Sequence, residues 1–120
     1  MYGFLAMTDA RAEGRRVLEQ LVANDYQGVV EKFDEVLKKG LPIESLRSSW
    51  ETLVAQAGPL EAVTQEKSVA HEGMDVGLFA LQFQKSGLLA RVVFQDGRIA
   101  GLHFSPVPAD DAGKFGLRGQ

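Results

Sequence analysis

The stretch WETLVAQAGPLEAVTQ, residues 50–65, contains the break that decides the fold. Up to Ala57 the apolar residues recur at steps of three and four, so that Leu46, Trp50, Leu53, Val54 and Ala57 share one helical stripe. Gly58-Pro59 stops that helix: proline lacks the N–H a further turn needs, and glycine tolerates the backbone reversal before it. Beyond the pair the apolar residues alternate and short glycine turns punctuate them, which is the period of strands. Helices followed by an antiparallel meander predict an α+β layer, with helices on one face of a curved sheet.

Towards the N-terminus, Leu41-Pro42 opens the helix that ends at Ala57, with proline at or near its first position. A second helix starts near Tyr26, carries Val29, Val30, Phe33 and Leu37 inward, and closes on Lys38-Lys39-Gly40. A first helix, capped by Thr8 or Asp9, runs to about Ala23 with Val17, Leu18, Leu21 and Val22 as its stripe. The pattern therefore predicts three N-terminal helices.

Towards the C-terminus four strands are expected, at 60–72, 75–85, 88–95 and 98–105. Asp96-Gly97 supplies the positive φ that a type I′ hairpin turn requires, and Ser86-Gly87 marks a second turn. Two-residue loops at both places set Phe94 opposite Ile99 and Phe83 opposite Ala90. One face then carries Phe79, Leu81, Phe83, Ala90, Val92, Phe94, Ile99, Gly101 and His103, and packs on the helices. The other carries Val76, Leu78, Gln82, Gln84, Leu89, Arg91, Val93, Leu102 and Phe104. A one-residue slip reverses these sets. The second set is too apolar for simple exposure, so Val76, Leu78, Gln82, Arg91, Val93, Leu102 and Phe104 are the candidate interface of a symmetric homodimer. A tail or a second domain lying over the patch is the competing reading.

The 120 residues suit one domain, and 45% hydrophobic with 24% charged residues is ordinary for a globular protein. A net charge of −3 argues against a nucleic-acid surface; Arg11, Arg15 and Arg16 cluster, but Glu13 and Glu19 interrupt them, as on a solvated helix face. The lack of cysteine excludes disulfides and thiolate catalysis. Tyr2 to Met7 is apolar but too short for a membrane span or a complete signal peptide. Residues 1–8 read as an N-terminal tail and 9–106 as the domain. After Pro106, the run through Pro108, Asp110, Asp111 and Gly113 reads 107–120 as a linker or tail. Both a cytoplasmic and an exported bacterial protein fit this composition.

His103 is the polar residue of most interest, because the expected register sets it among apolar neighbours. It is either a base or donor in a cavity or a histidine bonded to a backbone carbonyl. Phe33, Trp50, Phe83, Phe94 and His103 are the candidate lining of an apolar ligand cavity between helices and sheet. His71 with Glu66 or Glu72 lacks a metal-ligand spacing, so neither a metal nor a cofactor is expected. Asp34 and Tyr26 read as a capping residue and a helix anchor rather than an acid–base pair. No Gly-x-Ser-x-Gly and no glycine-rich nucleotide loop occurs.

The order Asn24-Asp25-Tyr26, Phe33-Asp34, Leu41-Pro42, Trp50, Gly58-Pro59 and Gly97-Arg98-Ile99-Ala100-Gly101-Leu102-His103-Phe104 resembles a bacterial domain family of unknown function in the nuclear transport factor 2-like superfamily. The resemblance spans about residues 9–106. It implies a cone-like fold: a curved four-stranded sheet wrapped on helices, with a cavity at the wide end and dimerisation through the outer face. It also implies frequent placement ahead of an α/β-hydrolase domain. Superfamily membership sets no chemistry. The expected function is a non-catalytic small-molecule-binding or accessory and dimerisation domain. The alternative is a small ketosteroid isomerase- or polyketide cyclase-like enzyme that uses a cavity histidine.

Overall fold

Asp9 opens the first helix by accepting hydrogen bonds from the backbone N–H groups of Arg11 (3.1 Å) and Ala12 (3.3 Å). The computed structural model describes residues 9–106, so the expected tails at 1–8 and 107–120 lie outside the described residues. Helix α1 (Ala10–Val22) buries Val17, Leu18 and Leu21, while Val22 turns away from the core and stays exposed. Asp25 caps α2 (Tyr26–Val30) through Gly28 N–H, and Asp34 caps α3 (Glu35–Gly40) through Leu37 N–H at 2.8 Å. Pro42 precedes α4 (Ile43–Ala57), which ends at Gly58 as the sequence predicts.

There are thus four helices among the described residues, not three. The expected second helix is interrupted at residues 31–34, and the reason is tertiary. Phe33 runs beside Ile99 as a parallel bridge; Ile99 N–H donates to Lys32 C=O at 2.8 Å, and Asp34 N–H donates to Ile99 C=O at 2.9 Å. The Arg98 guanidinium donates to the carbonyls of both Glu31 and Phe33, each at 3.2 Å. These bonds take the carbonyls of Glu31, Lys32 and Phe33 and the N–H of Asp34 out of the helical ladder, while the N–H groups of Glu31, Lys32 and Phe33 keep local bonds to Gln27, Val29 and Val30. They also set Phe33 into the core with no exposure.

Strands β1 (Leu60–His71), β2 (Met74–Phe83), β3 (Gly87–Gln95) and β4 (Arg98–Pro106) form one antiparallel sheet in chain order. The β2–β3 connection is longer than the expected two residues. Gln84 N–H donates to Pro59 C=O and Lys85 N–H to Ala57 C=O, so the loop is held against the end of α4. Ala90 therefore faces Phe79 rather than Phe83. The displacement is four residues, an even number, so the faces of β2 and β3 stay as expected. In β1, Thr64 and Glu61 are each passed over in the pairing; these bulges bring Val63 opposite Leu81 and Leu60 opposite Phe83, on the helix side.

The space between helices and sheet is solid. Phe33, Phe79, Phe83, Leu18, Leu21 and Ile99 are all fully buried there. Two glycines admit the Phe79 ring. A Cβ on Gly14 would stand 2.5 Å from Phe79 Cζ, and one on Gly77 would stand 2.7 Å from the Ala10 carbonyl oxygen and 2.9 Å from Phe79 Cε1. The start of α1 thus rests directly on β2. On the same side, Arg15 of α1 forms an ion pair with Glu66 of β1.

Candidate functional site

One residue in β4 rearranges the expected site. Gln95 faces Arg98 and Phe94 faces Ile99, as the Asp96-Gly97 turn predicts, but Val93 then faces Gly101. Ala100 is left unpaired as a bulge. An odd displacement reverses every later side chain in the strand. Leu102 and Phe104 consequently pair with Val92 and Ala90 on the helix side, while His103 faces Arg91 on the outer side. This corrects the expected faces at Gly101, Leu102, His103 and Phe104. The physical reason is burial: the bulge takes a leucine and a phenylalanine out of water and spares an imidazole a partnerless apolar site. His103 is exposed, and its ring folds back beside Gly101.

Inward-turned Leu102 and Phe104 complete an apolar groove with α4. Leu41, Leu46, Trp50 and Leu53 form its other wall, Ser49 and His103 supply its polar positions, and its volume is about 310 Å³. The Trp50 ring lies 5.6 Å from Phe104 and 5.9 Å from Phe83 between centroids, tilted by 56° and 58°. Of the expected cavity residues, Trp50 and His103 line this groove, and His103 does so from the strand that carries it outward. Phe33, Phe83 and Phe94 do not line it: they are 0%, 0% and 3% exposed and fill the core. The groove thus lies beside α4, not centrally between the helix layer and the sheet.

Trp50 also lines a second groove on its opposite side, of about 450 Å³, with Val22, Tyr26, Val54, Pro59 and Leu60. Asn24 and Glu51 are its polar members. The Tyr26 hydroxyl donates to Asn24 Oδ1 at 3.0 Å, and the Arg47 guanidinium lies 5.7 Å from the Tyr26 ring centroid. Burial raises the Tyr26 pKa above the usual phenol value, the Glu51 carboxylate raises it further, and Arg47 opposes both. Asp34 is engaged in capping α3, so it and Tyr26 serve as the cap and anchor expected of them.

On the outer face, Val76, Leu78, Gln82, Arg91 and Val93 remain together, whereas Leu102 and Phe104 have left for the groove. His71 lies 3.7 Å from Glu72 at the β1–β2 turn, and Glu66 is taken by Arg15 on the other side of the sheet. Among the described residues no three His, Cys, Asp or Glu side chains cluster as metal ligands do, and no helix is long and apolar enough to cross a membrane. Leu41, Ser49 and Leu53 were not marked by the sequence as site residues. Leu46 and Leu53 read only as a core stripe, and nothing local shows that β4 leaves a gap against it.

An α+β domain with, among the described residues, four helices ahead of an open antiparallel meander and an apolar groove along α4 is the class that these features define. Residues 15–102, from within α1 to the middle of β4, match the family model described as a protein of unknown function, DUF3887, and the chain belongs to that family. A search of the curated proteins gives no match.

Proposed function

We propose that this domain is a non-catalytic binding module that holds an apolar small molecule in the groove between α4 and β4. The observation that carries the reading is the groove's composition. Six of its eight lining side chains are apolar, and its 310 Å³ falls within the roughly 300–1,000 Å³ typical of small-molecule sites. No carboxylate belongs to that lining, so His103, the one titratable group there, has no acidic partner in the groove. The cyclase-like alternative loses support for the same reason and because His103 sits on the outer side of β4. The order of helices then meander also supports kinship with the nuclear transport factor 2-like cone, and with it a role as an accessory module beside a hydrolase domain.

Trp50 is the chain's single tryptophan, so its emission reports on this groove and on the second groove that it also lines. Titration with dodecanol is expected to shift that emission saturably. Leu53→Glu places a charge in the first groove but not the second, and is expected to abolish the shift while leaving the circular dichroism spectrum intact. A response that does not saturate, or that survives Leu53→Glu, overturns the assignment.

A further inference from the structure

We infer that the outer face of the sheet is a docking surface for an acidic, amphipathic segment of another protein. The register builds a straight cross-strand row, Lys67–Leu78–Arg91–His103, with one residue from each strand. Lys67, Arg91 and His103 are exposed, and Leu78 is half-buried between the two cations. The Ala100 bulge is what brings the imidazole into this row in place of a leucine. Val76 and Val93 flank it on one side, so the long stems of Lys67 and Arg91 have apolar ground to lie on.

The charge of this face is opposite to that of the molecule. The chain carries 16 acidic against 13 basic residues. Yet among the described residues no carboxylate has an outward register partner, and the exposed Glu61, passed over at a bulge beside the Ala62–Gln82 pair, stands nearer the start of β1 than Lys67 does. Glu66 and Asp75 share the inner register with Phe79 and Phe94, and Glu72 and Asp96 lie in the turns at one end of the sheet. Complementarity therefore selects an anionic partner. A second copy docked row to row would set Lys67 and Arg91 against their like, with no acid in either row to relieve them. A duplex nucleic acid needs more cations than two, and Val76 and Val93 are too deeply set, at 5% and 9% exposed, to enter a bilayer. An amphipathic segment matches both chemistries of the face, its acids meeting Lys67 and Arg91 and its apolar side chains meeting Leu78.

The test uses the full chain and two labelled peptides of equal length, one an amphipathic Leu/Glu helix former and the other its Leu/Lys counterpart, followed by fluorescence anisotropy. The Leu/Glu peptide is expected to bind, more weakly as salt is added, and the Leu/Lys peptide is not. Lys67→Glu with Arg91→Glu is expected to lower affinity for the Leu/Glu peptide at least tenfold and to confer binding of the Leu/Lys peptide. Lys67→Gln with Arg91→Gln, which is gentler on the fold, is expected to lose the first peptide without gaining the second. Failure of the wild type to bind the Leu/Glu peptide overturns the proposal, as does equal binding of both peptides. So does a doubled mass by light scattering that Arg91→Glu abolishes, which would give the face to a second copy. Capture by phosphatidylserine vesicles in preference to the peptide would give it to a membrane and equally overturn the assignment.

Discussion

Phe104 packs its ring on Trp50 at 5.6 Å, although the turn before β4 aims it at the opposite side of the sheet. The Ala100 bulge accounts for the difference. Deleting Ala100 removes the extra residue and leaves Leu102, His103 and Phe104 on the faces they hold, so Trp50 emission is expected to stay unchanged, whereas Leu102→Ala with Phe104→Ala removes the apolar pair that the bulge turns inward. Losing the burial of those two side chains costs about 2 kcal/mol or more, taking roughly 1.5–3 kcal/mol for a fully buried one and less for the half-buried Phe104. Urea unfolding followed by Trp50 emission measures that loss. A stability unchanged by the double substitution would show that burial of Leu102 and Phe104 does not hold the bulged register.

The Phe79 ring gives a second prediction. Gly14→Ala pushes a methyl to 2.5 Å from Phe79 Cζ, and Gly77→Ala pushes one to 2.7 Å from the Ala10 carbonyl. Each is expected to destabilise by about 1–3 kcal/mol through overpacking. They differ in remedy. Phe79→Leu withdraws the ring and should offset much of the Gly14→Ala loss, but it cannot move the backbone that blocks Gly77→Ala. A double-mutant cycle from chemical denaturation separates the two, and equal relief of both variants would contradict the geometry.

Helix ends were readable where their signals are local: Asp9 caps within three residues, and Gly58-Pro59 stops α4 by backbone chemistry alone. The faces of β2 and β3 were readable because Phe79, Leu81 and Phe83 alternate strictly. What stayed hidden depends on partners distant in the chain. Nothing near residues 31–34 announces that Ile99 and Arg98 will take their hydrogen bonds and divide a helix. Likewise, both faces of β4 after Ile99 contain apolar residues, so only the helix packed against it decides between Leu102 and His103 as the buried one. The groove follows from that decision and was therefore out of reach, even though Trp50 was not.

The clip between Arg98 and the α2–α3 link should be separable from the rest of the fold. Arg98→Ala removes donors to the Glu31 and Phe33 carbonyls. The guanidinium is exposed where it meets Glu31, so the expected cost is modest, about 1 kcal/mol. Hydrogen exchange should localise it: the amides of Asp34 and Ile99, which bond across this junction, are expected to lose protection while those of α1 keep theirs. Uniform loss along the chain would mean that the clip is not a local element.

Tyr26 gives a prediction about alkaline pH. Its pKa is raised in the folded chain, first by burial and then by Glu51, so the folded state binds the phenolic proton more tightly than the unfolded state does. The stability linked to that proton is fully present below the ordinary tyrosine value. It is lost as pH rises from there through the raised value, because the unfolded chain releases its proton first. The Asn24 hydrogen bond, which needs the Tyr26 O–H as donor, is lost over the same window. Glu51→Gln removes the second cause and should bring the phenolate transition of Tyr26 back towards the ordinary value, while Arg47→Gln should move it further up. Absorbance titration of the phenolate in each variant, each also carrying Tyr2→Phe so that Tyr26 alone is observed, reads both shifts. Opposite movements for Glu51→Gln and Arg47→Gln are the expected result, and movement of both in one direction would remove the electrostatic account of this groove.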